Sequence, residues 1–131
     1  MLKVTSPLDD AVEALIHRVI GCCIRVHREL GPGLLERIYR SAVCIELQFE
    51  GIPFEVEKPF PVWYRGQLLC EQRVDIVVAR QILLEMKAID RLAPVHHAQV
   101  MSYLRVSGLR IGLLMNFNGP VLPDGLRRIV L

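Results

Sequence analysis

No apolar run in this sequence approaches the roughly 20 residues that a helix needs to cross a bilayer, so no membrane partner is expected. The opening stretch, Met1-Leu2-Lys3-Val4-Thr5-Ser6-Pro7, lacks the apolar core of a signal peptide, and the expectation is a cytoplasmic protein. Cysteine is sparse. Cys22, Cys23, Cys44 and Cys70 form no C-x-x-C pair and do not resemble a zinc knuckle, which leaves buried, reduced thiols as the reading. An excess of one charge is also missing. The formal net charge of +2 singles out no partner, and the arginines are spread along the chain, so a phosphate-binding surface has to be assembled by the fold. Internal repeats, low-complexity segments and linkers are absent, and 131 residues read as one domain, 1–131.

What is present is apolar. A hydrophobic fraction of 52% is high for a domain of this size. It implies a sheet covered on both faces, and an apolar surface that a homodimer could bury.

The elements follow from punctuation and period. Ser6 as N-cap, Pro7 in the first turn and acidic Asp9 and Asp10 start a first helix, whose apolar residues recur at helical spacing until Gly31-Pro32-Gly33 ends it. His17 and His27 lie on this helix without metal-ligand spacing and read as satisfied structural residues. A second helix is expected from about Leu34 to Glu50, stopped by Gly51; it makes Glu36, Tyr39 and Arg40 surface neighbours. A Glu in a first helical turn also suits the dipole, so Glu36 on its own decides nothing. A hairpin turns at Arg65-Gly66-Gln67, and Pro59 and Pro61 place its first strand at an edge or a bulge. Ala88 to Pro94 reads as a loop, His96 to Ser107 as a helix closed by Gly108, and Arg110 to Phe117 as a buried strand. A turn at Asn118-Gly119-Pro120 and a last strand over Leu126 to Leu131 complete the chain. The order is α-α-β-β-β-α-β-β, an α/β (α+β) mixed sheet flanked by helices.

The chemistry gathers in one hairpin. Val74-Asp75-Ile76-Val77-Val78 and Ile82-Leu83-Leu84-Glu85-Met86-Lys87 are β-rich runs separated by Ala79, Arg80 and Gln81. A three-residue loop pairs Val78 with Ile82, Ile76 with Leu84 and Val74 with Met86 on one apolar face. Val77 then meets Leu83 and Asp75 meets Glu85 on the other, with Lys87 on that side. A one-residue slip would scramble the apolar pairing. Directly opposed carboxylates lie about 4.5–5.5 Å apart between Cβ atoms. They repel there unless a cation lies between them, and two carboxylates with backbone oxygen and water suit Mg²⁺ or Mn²⁺. The bland reading is a strand with surface charges. The shared register weakens that reading and does not remove it.

The motifs in sequence now point one way. Gly33-Leu34-Leu35-Glu36-Arg37-Ile38-Tyr39 resembles the motif that names the GxxExxY family. Arg73-Val74-Asp75, Glu85-Met86-Lys87 and Gln99-Val100-Met101-Ser102-Tyr103 fall where that family has its D, E-x-K and Q-x-x-x-Y elements. The resemblance spans about residues 10 to 130; each motif alone is weak, and the ordered set is specific. The family resembles the PD-(D/E)XK nuclease superfamily. The position before Asp75 is Val74 where the superfamily's name has proline, and Asn118 stands where glycine is expected.

The resemblance implies a restriction-endonuclease-like core and a metal-dependent nuclease acting on DNA or RNA. Asp75 and Glu85 would hold Mg²⁺ or Mn²⁺ with the backbone carbonyl of Met86, and Glu36 would add a carboxylate. Lys87 would orient the attacking water or stabilise developing charge, while Gln99 and Tyr103 would line the site. The alternatives are a non-catalytic nucleic-acid-binding module and a protein-interaction module on the same fold. A cation requirement separates the first reading from both.

Overall fold

The computed structural model describes residues 7–131. Helix α1 (Asp10–Leu30) is followed by α2 (Glu36–Phe49), then by strands β1 (Phe54–Tyr64), β2 (Gln67–Val78) and β3 (Ile82–Lys87). Helix α3 (Pro94–Ser107) leads to β4 (Ile111–Asn116), a 3₁₀ turn (Leu122–Gly125) and β5 (Leu126–Val130). The five strands form one sheet in the order β1-β2-β3-β4-β5. The β3–β4 pair is parallel and the others are antiparallel, so α3 is the crossover a parallel pair requires. This is the mixed, helix-flanked sheet of a restriction-endonuclease-like fold, with the element order expected above.

Both sheet faces are covered, as the composition implies. Helices α1 and α2 pack Ile16, Val19, Tyr39 and Val43 onto Ile76, Leu84 and Met86 on one face. On the other, Val100 and Leu104 of α3 pack onto Leu83 and Leu114. All residues of β4 are buried, and so is β3 up to Met86, which is why those segments read as continuous apolar runs.

Several boundaries differ from the sequence reading. Ser6 lies outside the described residues, and the cap of α1 is Asp9, whose Oδ1 accepts from the Val12 amide at 2.8 Å. An aspartate there both caps and opposes the dipole, so it displaces Pro7 from the first turn. Helix α2 begins at Glu36, since Leu35 before it is extended (φ −71°, ψ 147°), and the Leu34 amide donates to the Tyr39 hydroxyl. Helix α3 starts at Pro94, two residues before the expected His96, since proline fits a first helical position. His96 Nδ1 accepts from the Ala93 amide at 2.8 Å. The 3₁₀ turn was not expected.

Strand β1 is an edge strand with a bulge between Val62 and Trp63, in keeping with its prolines. The cysteines are all free, and Cys22 and Cys23 are buried as expected, but Cys44 is half-buried and Cys70 is exposed on the protruding hairpin. His27 is buried, its Nε2 donating to the carbonyls of Phe117 and Gly119, whereas His17 is exposed rather than structural.

Candidate active site

The β2–β3 turn places Ala79 and Arg80 at φ of 51° and 57°, and the Gln81 amide donates to the Val78 carbonyl at 2.9 Å. Pairing then follows the expected register: Val78 with Ile82, Val77 with Leu83 and Ile76 with Leu84. It stops there. The expected pairs Asp75–Glu85 and Val74–Met86 are not part of the ladder. Val74 packs with Val77 beneath α3, not with Ile76 and Val78 beneath α1 and α2, so the single apolar face of the sequence reading is broken. The alternation of β2 reverses at Asp75. Its carboxylate replaces the missing ladder contact, Oδ2 accepting from the Met86 amide at 2.9 Å.

Strand β1 yields at the same level. Glu57, the residue that its neighbours' register puts opposite Asp75, drops out of the pairing with φ of 49°. Its side chain binds Arg40 of α2, Nη1 to Oε1 at 3.1 Å, and the same Nη1 lies 3.7 Å from Asp75 Oδ1. Left-handed backbone at a residue with a side chain costs about 1–2 kcal/mol. An ion pair as exposed as this one (28% and 56%) returns about 0–1 kcal/mol. The ion pair alone therefore does not offset the strain at Glu57, whose carbonyl also accepts from Arg73 Nη1 at 3.4 Å.

Glu36 arrives from the opposite side, on the first turn of α2. The Gly33-x-x-Glu36-x-x-Tyr39 spacing has a physical basis here. Gly33 takes φ of 100°, which turns the chain into α2. Tyr39 is fully buried, stacks on Phe117 with ring centroids 4.6 Å apart, and its hydroxyl donates to Gly31 O and accepts from Leu34 N. Tyrosine locks the loop, and the locked loop aims the glutamate.

The result is a three-carboxylate cluster. Oxygens of Glu36, Asp75 and Glu85 lie within 4.8 Å of one another, with Glu85 buried and the others half-buried. Burial first, and then the neighbouring Asp75 charge, pushes the Glu85 carboxyl up to about 8. The same causes, in the same order, raise Glu36. Converging, partly desolvated oxygen donors whose charges oppose one another are a donor set that a hard divalent cation fits. Met86 takes part through its backbone, beside Glu85 and bonded to Asp75.

Lys87 stands next to the carboxylates, Nζ 3.7 Å from Glu85 Oε1, and donates to Gln99 Oε1 at 3.0 Å. Gln99 is held there by close packing of α3 on β4. A Cβ at Gly112 would lie 2.7 Å from Val100 Cγ1, so only glycine lets the helix come down this far. Tyr103, one turn on, accepts from Gln72 Nε2 at 3.2 Å; burial, then the Glu85 charge, raises its hydroxyl pKa. Buried Asn116 pins the loop after Lys87 by bonding both backbone groups of Ile89. All the side chains singled out from the sequence thus meet in one region. Arg40, Glu57 and Gln72 belong to it as well. The position of Arg40 one turn after Glu36 was a visible signal; Glu57 and Gln72 had none, because their partners are distant in sequence.

The sequence profile of the PD-(D/E)XK nuclease superfamily matches residues 13–129 of this chain. No curated protein and no solved structure matches it.

Proposed function

The chain belongs to the PD-(D/E)XK nuclease superfamily, and on that premise we propose that it hydrolyses phosphodiester bonds in DNA or RNA with Mg²⁺ or Mn²⁺ as cofactor. The observation that carries this reading is the convergence of Glu36, Asp75 and Glu85 beside Lys87. These carboxylates would hold the cation, with the Met86 carbonyl as a backbone donor. A bound divalent cation supplies Lewis acidity against the scissile phosphate. Lys87 presents N–H donors and positive charge to the developing negative charge, and Gln99 fixes its ammonium. Tyr103 closes the α3 side, where its hydroxyl can touch phosphate. Within the superfamily, the motif from Gly33 to Tyr39 supports placement in the GxxExxY family, and continuous cores on both sheet faces support one domain over 1–131. Free cysteines agree with a reducing, cytoplasmic compartment. No helix among the described residues is long and apolar enough to cross a membrane. Exposed Leu35, the cap before α2, and Ile45 and Phe49 on that helix favour a homodimer as the assembly.

The test is calorimetric titration with Mn²⁺ and Mg²⁺ of the wild type, Asp75→Ala and Glu85→Ala, with cleavage of labelled single- and double-stranded DNA and RNA in the same buffers. The expected result is cation binding abolished by either substitution, with cleavage falling roughly 10²-fold or more. A folded wild type that binds neither cation would refute the catalytic reading and leave the binding modules.

A further inference from the structure

We propose that Arg40 is a substrate-binding residue of this site, its guanidinium held by Glu57 so that it takes the oxygens of a nucleic-acid phosphate beside the carboxylate cluster. The inference rests on the nuclease reading and adds to it a residue outside the recognised motifs. Arg40 lies one helical turn after Glu36, so α2 presents both side chains to the same region. Only Nη1 is engaged, at 3.1 Å from Glu57 and 3.7 Å from Asp75. Among the described residues, Nε and Nη2 have no hydrogen-bond partner. The side chain is 28% exposed, so it is within reach of solvent and ligand. A guanidinium edge matches two oxygens of one phosphate, a geometry that an ammonium does not offer.

Glu57 explains why the arginine is ready for this role. The closer of its two ion pairs is with Glu57, which is not one of the three clustered carboxylates. A cation held by Asp75 would therefore leave Arg40 anchored. The anchor itself sits in left-handed backbone where β1 leaves its pairing with β2, a distortion that a half-exposed ion pair does not repay. Strain at this level of the sheet is accounted for if Glu57 positions Arg40 for a ligand.

The experiment follows fluorescein-labelled single- and double-stranded DNA and RNA oligonucleotides by anisotropy, in Ca²⁺ and across a salt series. Mn²⁺ calorimetry and thermal unfolding run in parallel. Arg40→Ala is expected to weaken the tightest-bound probe about tenfold and to lower the salt slope by about one, with Mn²⁺ affinity and unfolding midpoint close to wild type. Arg40→Lys keeps the slope and loses most of the affinity, because charge remains and the fork does not. Glu57→Gln weakens binding less than Arg40→Ala and adds nothing in the double variant. Wild-type affinity and slope in Arg40→Ala would overturn the inference, as would parallel loss of Mn²⁺ binding, which would make Arg40 a neutraliser of the cluster. A wild type that binds Mn²⁺ but none of the probes overturns this inference alone. One that binds neither overturns the nuclease reading with it.

Discussion

Burial, reinforced by the neighbouring Asp75 charge, raises the Glu85 carboxyl from the ordinary 4.5 to about 8, which favours its protonated form at neutral pH in the absence of a cation. Between those values the folded chain holds a proton that the unfolded chain has released. The associated stability is therefore full below about 4.5 and is lost as pH rises through about 8. In cation-free buffer, the unfolding free energy of the wild type should fall by on the order of 2–4 kcal/mol across that interval. Glu85→Gln should remove most of the slope; urea melts at several pH values check both. A cation must displace the same proton, so Mn²⁺ affinity should rise with pH in the wild type. An equally steep stability profile in Glu85→Gln would assign the effect to another group.

At the scale of elements, the loop between α1 and α2 aims a side chain into the site. Its lock is the Tyr39 hydroxyl, which bridges Gly31 and Leu34 from a fully buried position. Tyr39→Phe keeps the stacking on Phe117 and leaves the Leu34 amide and Gly31 carbonyl without that partner. The expected cost is about 1–2 kcal/mol, seen as a midpoint lowered by several degrees. Mn²⁺ affinity should fall only modestly, because the carboxylates themselves remain. A wild-type midpoint in Tyr39→Phe would mean that the loop is held by other contacts.

The molecule as a whole divides into a covered sheet and a projecting hairpin. Strands β1 and β2 pair along Phe54 to Tyr64, while β3 pairs with β2 only from Ile76 to Val78. The outer hairpin is therefore supported mainly by its own pairing, and it leaves Trp63, Tyr64, Leu68 and Leu69 exposed. Replacing residues 63–69 by Asn-Gly closes the hairpin on the Val62–Cys70 pair and keeps Phe60 under α3 and Gln72 on Tyr103, and Asn-Gly suits a tight hairpin turn. The shortened chain should unfold in one transition with a midpoint within a few degrees of wild type and bind Mn²⁺ unchanged. Loss of folding would show that the outer hairpin belongs to the core.

Element order and the two-faced burial were legible in the sequence because apolar period, glycine and proline act over a few residues. The register of Val78, Val77 and Ile76 was legible for the same reason: a short turn and an apolar pattern leave one pairing that buries every large side chain. The family resemblance singled out Glu36, Asp75, Glu85, Lys87, Gln99 and Tyr103, and the fold brings these side chains into one region. What the tertiary structure alone decided is how the carboxylates meet. The ladder ends at Ile76, Val74 turns to the α3 face, and Asp75 binds the Met86 amide where a direct pair with Glu85 was expected. At the same level Glu57 drops out of the β1 ladder and Arg40 reaches across from α2 to both Glu57 and Asp75. Contacts among residues 17 to 35 positions apart in the chain are set by packing of whole elements, and local pattern carries no record of them.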